Sequence, residues 1–284
     1  MTLTDGQLAV GLVLLSALMH ATWNAIVKFS GERLVVLAVI DAMCCVLALA
    51  LTPLVSWPPQ AAWPFLAASM VLTAGYKVAL LGAYRHGDFT QAYPLMRGSA
   101  PLLVALITVI LGLDELPWTG YAGILMVSLG LFALVDWKNG RPVLLLFALG
   151  AGATLAVTTL LDGTAVRGYS PVFTYIVWLE VLEHIPLPLY ALATRRLQFF
   201  SVLRRQWRLA GVGAVNRIGS YGLMLWAMSM AAIAPLAALR ETSVVFGALI
   251  GYFILKERFG PWRLAATAMV LAGIGVLQLA RAVS

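Results

Sequence analysis

Apolar residues fill this chain in blocks of about twenty, separated by short clusters that hold most of the prolines, tryptophans and basic residues. A bilayer's hydrocarbon is about 30 Å thick and takes roughly 20 apolar residues per helix, which is the period of these blocks. The pattern predicts ten membrane spans: Leu8 to Val27, Leu34 to Val55, Trp63 to Tyr84, Thr90 to Leu113, Trp118 to Val135, Val143 to Leu161, Pro171 to Ala193, Trp207 to Met230, Ala232 to Leu255 and Trp262 to Ala280. Such runs are too long for strands, and unpaired backbone in hydrocarbon costs several kcal/mol per group, so each span is expected to be helical. The expected fold is an all-α integral membrane protein. The connections, such as Trp57 to Gln60 and Asp114 to Pro117, are too short to hold a soluble domain. Trp57, Trp63, Trp118, Trp207 and Trp262 fall at span ends, where their amphipathic rings anchor helices at the interface.

Two stretches repeat one another. Arg97, Gly98, Ser99, Ala100 and Pro101 lead through an apolar run to Glu115; Arg240, Glu241, Thr242, Ser243 and Val244 lead through another to Glu257. A Gly- and Ala-rich segment follows each, Tyr121 to Leu134 and Arg263 to Leu277, with Gly130 matching Gly273. The expected organisation is therefore a tandem duplication, residues 1–139 and 140–284, with five helices in each copy. Five is odd, so the copies enter the membrane in opposite senses.

Charge agrees with that topology. Short loops retain Lys and Arg on the cytoplasmic side. Lys28, Arg33, Arg85, Lys138, Arg141, Arg195, Arg196, Arg204, Arg205, Arg208, Lys256, Arg258 and Arg263 all fall in odd-numbered connections, while the even-numbered connections and tails hold Arg167 and Arg281. Both termini are expected on the outer face of a bacterial inner membrane. The net charge of +7 is mostly this topology signal, and with basic residues divided among short loops no nucleic-acid surface is expected. Composition adds that lipid must cover the excess of apolar surface: 62% of residues are hydrophobic and 11% charged, with mean hydropathy +0.92. The first block lacks a basic leader and carries His20, Trp23 and Asn24, so it is read as a retained helix. The adjacent Cys44 and Cys45 are read as unbridged apolar filler.

These features resemble the EamA-type branch of the drug/metabolite transporter superfamily. Segments Arg97 to Glu115 and Arg240 to Glu257 carry most of the likeness, supported by the first-helix run from His20 to Asn24 followed by Lys28. The resemblance implies ten helices in two inverted repeats around a central cavity. It also implies export or facilitated movement of small metabolites, including aromatic and other amino acids. The cavity would be lined by the first, third and fourth helices of each half.

Polar residues on those helices are the candidate site. Helix one offers His20, Trp23 and Asn24 with Ser16 on one stripe; helix three Tyr76, Lys77 and Tyr84; helix four Tyr93 and Arg97; helix six Thr154 and Thr158 in register with Asp162; helix eight Asn216 and Tyr221; helix nine Arg240 and Glu241. Aromatic faces suit an apolar body, and Arg97 or Arg240 suits a carboxylate. The competing reading is helix–helix hydrogen bonding, with Arg240 paired to Glu241 as a strut.

Eight charged residues fall deep inside the predicted spans, away from their ends: Asp41, Lys77, Arg97, Glu180, Glu183, Arg217, Arg240 and Glu241. Each costs about 3 kcal/mol at a helix centre. Depth pairs Asp41 with Lys77 and Glu183 with Arg217, holding neighbouring helices together. The alternative is proton coupling at Glu180, Glu183 and His184, which share one helical face. Those three are an incomplete metal-ligand set, so no metal is expected. Pro94, Pro101 and Pro235 are expected to let the fourth helix of each half bend.

No Walker-type phosphate loop, Gly-x-Ser-x-Gly or His-Glu-x-x-His string occurs, which argues against ATP hydrolysis, an intramembrane enzyme or a cofactor. The expected partners are a small-molecule substrate and membrane lipids, with the carrier acting as a monomer. Lipid flipping and proton-coupled uptake remain alternative functions.

Overall fold

The structure is a computed structural model that describes residues 5–29, 33–86, 89–113, 116–135, 142–253 and 260–283. The acids that close the two motif copies, Glu115 and Glu257, lie outside the described residues, as does the side chain of Tyr84. Among the described residues every regular element is helical: α1 (Asp5–Phe29), α2 (Arg33–Leu51), α3 (Trp63–His86), α4 (Phe89–Leu111), α5 (Trp118–Phe132), α6 (Pro142–Gly168), α7 (Val172–Glu183), α8 (Pro186–Met228), α9 (Ile233–Leu239), α10 (Thr242–Phe253) and α11 (Pro261–Val283), with short 3-10 turns at Thr52–Leu54 and Gln60–Ala62. Eight helical stretches are long and apolar enough to cross a membrane; α5 is a shorter apolar helix, and the single stretch Val172–Met228 holds both the seventh and eighth expected spans.

Local sequence explains many of the boundaries. Pro142, Pro186 and Pro261 are the first residues of α6, α8 and α11, and Pro117 and Pro171 stand just before α5 and α7. Proline's fixed φ suits a helix start, where its missing donor costs nothing. Past the end of α4, Gly112 takes φ 63°, and the Leu113 amide reaches back to the Thr108 carbonyl, satisfying a carbonyl that the helix end would otherwise orphan.

Three expectations need correction. The sixth span was expected to end at Leu161, but α6 runs on to Gly168 and carries Asp162, fully buried, inside it. The basic connection Thr194 to Gln206 is helical, bent at Arg195 (φ −139°, ψ 38°) and Gln206 (φ −125°, ψ 18°). The seventh and ninth expected spans are broken: α7 stops at Glu183 before the chain resumes as α8, and α9 stops at Leu239 before α10.

The chain forms two compact units, Met1–Ala74 with Asp162–Met230, and Gly75–Leu161 with Ala231–Ser284. Each draws helices from both expected repeats. In the first unit α1 and α2 pack along α8, and α2 also packs on α7. Val35, Val36 and Ile40 of α2 meet Leu187, Ala191, Phe199, Ala210 and Ala214 of α8 in one apolar cluster. Cys44 and Cys45 form no disulfide, and their thiols donate to the Ala214 and Val181 carbonyls.

In the second unit the most extensive pairing is α5 on α11, the Gly-rich segments that close the two expected repeats. Lipid supplies little hydrophobic drive between helices, so backbones must approach closely to gain dispersion contacts, and small residues allow it. A Cβ added at Gly273 would lie 2.7 Å from the Val127 amide nitrogen, and one at Gly123 would lie 2.9 Å from the Gly273 carbonyl. Because backbone rather than a flexible side chain blocks the space, Gly273→Leu is expected to cost about 1–3 kcal/mol or more by overpacking. A thermal melt in detergent reads this; an unchanged melting temperature would show that the helices can move apart freely.

Large apolar side chains cover the outside. Leu146 is 72% exposed, Ile110 70% and Leu54 78%, a surface that suits lipid.

Candidate functional site

Each unit buries a polar centre, and each centre lies where a membrane stretch is interrupted. In the second unit the interruption is Arg240 and Glu241, between α9 and α10. The backbone tightens there, with the Ser243 amide on the Arg240 carbonyl and the Val244 amide on the Glu241 carbonyl, three residues apart rather than four. α4, which holds the other copy of the motif, continues through it from Phe89 to Leu111 despite Pro94 and Pro101.

Arg97 of α4 reaches this break. Its Nε lies 2.9 Å from Glu241 Oε2 and its Nη2 donates to Ser243 Oγ at 3.0 Å, with the side chains of Arg97 and Glu241 each only 4% exposed. The Tyr93 ring stands one turn away, its centroid 6.0 Å from the guanidinium carbon. Arg240 and Tyr76 lie within electrostatic reach of the pair, and Lys77 is buried. The geometry thus places an arginine of the first motif copy on the acid and serine of the second. Glu241 forms an ion pair with Arg97, and its neighbour Arg240 also acts on it electrostatically.

Thr154 and Thr158 also belong to this unit. Their hydroxyls donate to the Gly150, Ala151 and Thr154 carbonyls of their own helix. That is the structural role such residues commonly take in apolar helices.

The first unit's centre lies at the end of α7. Arg217 of α8 places Nε 3.3 Å from Asp41 Oδ1 and donates to His184 Nε2 at 2.8 Å, while its guanidinium covers the Trp23 ring at 4.7 Å. His184 Nδ1 in turn sits 2.8 Å from the Glu180 carbonyl. The imidazole is thereby held at both ring nitrogens. Asp41 was expected to pair with Lys77 and Glu183 with Arg217. Asp41 forms an ion pair with Arg217, since α2 packs directly on α8; Glu183 accepts from Thr73 Oγ1 at 2.6 Å and lies within electrostatic reach of Arg217.

His20 meets Trp23 edge to face at 5.2 Å, and Asn24 donates to the His20 carbonyl. Asn216 donates to the Val212 carbonyl one turn back. Ser16 donates to the Ser220 carbonyl, tying α1 to α8.

One feature of this unit was not anticipated. The Asp162 carboxylate accepts from Ser69 of α3, from Tyr175 of α7 at 2.7 Å and from Tyr221 of α8. The sequence placed Tyr221 and the Thr154–Thr158–Asp162 stripe among polar helix faces. It assigned no role to Ser69 or Tyr175, whose positions lie on helices assigned no partner for Asp162. The apolar pattern continuing from Gly163 to Val166 was the available sign that Asp162 is inside a span.

The candidate residues therefore divide in two. His20, Trp23, Asn24, Glu180, Glu183, His184, Asn216 and Tyr221 belong to the first unit, and Tyr76, Lys77, Tyr93, Arg97, Thr154, Thr158, Arg240 and Glu241 to the second.

Known proteins supply the wider context. Residues 143–279 match the EamA-like transporter family. A solved crystal structure with 17% sequence identity superposes with a TM-score of 0.78, covering 97% of this chain and 98% of its own, a likeness of fold. No curated protein matches the sequence. The family match falls on residues 143–279, and the run of long apolar helices makes the chain a multi-pass helical membrane protein.

Proposed function

We propose that the protein is a secondary transporter, an exporter or facilitator of small amphiphilic metabolites, foremost amino acids including aromatic ones, working by alternating access without ATP. The observation that carries this reading is the broken helix at Arg240–Glu241, met by Arg97 of the first motif copy. Interrupted helices are tolerated at membrane depth where they are buried in protein or line a cavity, and carriers built from inverted repeats bind substrate at such breaks. Tyr76 and Tyr93 supply aromatic surface beside two arginines, a combination suited to a zwitterion with an apolar side chain.

The same reading takes residues 1–139 and 140–284 as inverted repeats, ten crossings in all, with both termini on the outer face of a bacterial inner membrane. The distribution of Lys and Arg supports it.

Thermal shift of purified protein over a panel of amino acids and nucleobases, followed by flux of the stabilising compounds into proteoliposomes, tests the proposal. Stabilisation and ATP-independent flux of at least one bulky amino acid are expected. Should none of the water-soluble compounds bind or move while a fluorescent phospholipid is exchanged between leaflets, lipid handling would replace this reading.

A further inference from the structure

Among the described residues the buried carboxylates are Asp41, Asp162, Glu180, Glu183 and Glu241; the cations buried or nearly so on the membrane helices are Lys77, Arg97, Arg217 and Arg240. Acids exceed permanent cations by one. The geometry identifies which acid differs from the others. Asp41 and Glu241 hold guanidinium partners, Glu180 sits beside His184, with its Oε2 3.3 Å from Nδ1, and Glu180 and Glu183 both lie within electrostatic reach of Arg217. Asp162 has 0% exposure, and its partners among the described residues are three hydroxyl groups.

Hydroxyl partners differ from guanidinium partners in a way that matters here. Arginine only donates, so a carboxyl group that gains a proton loses the pairing. A serine or tyrosine hydroxyl both donates and accepts, and serves either form of the acid by rotating. Ser69 and Tyr175 meet Oδ1, and Tyr221 alone meets Oδ2. A proton arriving at Oδ2 makes a new O–H donor there, and the Tyr221 hydroxyl must turn from donating to accepting. The Tyr221 proton turns away from Oδ2 as the new O–H takes its place in the bond, and the net change is one proton gained and one negative charge lost.

We propose that Asp162 is a proton-binding site that couples transport to a proton gradient, in place of the Glu180, Glu183 and His184 group. This rests on the reading of the protein as a carrier. The titratable and charged groups around Asp162 are few. α7 presents Tyr175, with Glu183 in electrostatic contact with that tyrosine; α8 presents Tyr221; α3 presents Ser69, with Thr73 one turn on; and α6 itself carries Arg167, whose Nε donates to the Met228 carbonyl. Proton uptake would change the bond between α6 and α8, which gives the site a mechanical output.

Infrared difference spectroscopy between acid and alkaline pH, on the full chain in lipid nanodiscs, reads the site without any solute. A carboxylic C=O band should appear on acidification in the unaltered protein and in Glu183→Gln, vanish in Asp162→Asn, and shift in frequency in Tyr221→Phe. In sodium-free proteoliposomes, with L-phenylalanine and L-tryptophan as probes, a pH gradient should stimulate flux. Asp162→Asn should reduce that flux to its gradient-free level, while Asp162→Glu retains stimulation. If Asp162→Asn does not fold, the Tyr221→Phe band shift and the Asp162→Glu flux decide the matter.

The band or the stimulation surviving in Asp162→Asn, either one lost in Glu183→Gln, or a band unmoved by Tyr221→Phe would overturn the proposal. So would flux insensitive to pH in the unaltered protein, which would leave the carrier reading intact. A band that behaves as expected with neither probe transported would sink the amino-acid reading and leave the proton site standing.

Discussion

Arg97→Ala is expected to abolish flux and to cost about 3–5 kcal/mol of stability, because it leaves Glu241 as a buried charge with its principal partner gone. The loss should appear as a large fall in melting temperature, and it separates two roles that the geometry combines. Arg97 holds Glu241 and Ser243 on the far side of a helix break, so it is a strut; it also presents a guanidinium beside Tyr93, so it suits a substrate carboxylate. The paired change Arg97→Met with Glu241→Leu removes both charges and fills their volume, a replacement that is often neutral or stabilising for a buried ion pair. Recovery of the melting temperature without recovery of flux is the expected outcome. If flux returned as well, the pair would be structural only, and the substrate's anchoring charge would have to lie elsewhere.

The second large effect is expected at Arg217. Its guanidinium meets Asp41 Oδ1, His184 Nε2 and the Trp23 ring at once, linking α8 to α2, the end of α7 and α1. Arg217→Ala should cost about 3–5 kcal/mol, since it removes the guanidinium from the fully buried Asp41 carboxylate. Lysine should not rescue it. A planar fork can bond a carboxylate and an imidazole while lying over an indole, whereas an ammonium is a compact charge without that face. Melting temperature and Trp23 fluorescence measure the outcome, and a lysine variant indistinguishable from the unaltered protein would show that charge alone suffices there.

Both predictions concern residues that the sequence already marked as costly in a membrane. The marking followed from elementary energetics: a charged side chain within an apolar run must find a partner. Which partner it finds is a different kind of question. Depth arguments paired residues on helices joined by a loop, Asp41 with Lys77 and Glu183 with Arg217. The fold adds ion pairs between helices distant in sequence, α2 with α8 and α4 with the α9–α10 break, because a buried charge answers to packing neighbours as well as to chain neighbours.

Asp162 shows the same boundary at one residue. Its carboxylate stands one residue past the expected end of the sixth span, in register with Thr154 and Thr158. The helix continues for six more residues because hydroxyl groups from three other helices satisfy the carboxylate inside it. No local signal reports a partner that arrives from α3, α7 and α8.

What the sequence by itself determined is considerable: the membrane as solvent, the helical nature and approximate ends of most spans, the duplicated Arg motif, and the Gly-rich closing segments that do pack as α5 on α11. All of these depend on periodicity, composition and backbone hydrogen bonding, which act over one turn or one bilayer thickness. Tertiary structure alone decided where the seventh and ninth expected spans break, which carboxylates hold guanidinium partners, and that one holds hydroxyls instead. Those outcomes depend on side chains that packing brings together from separate helices, and short-range pattern holds no record of them.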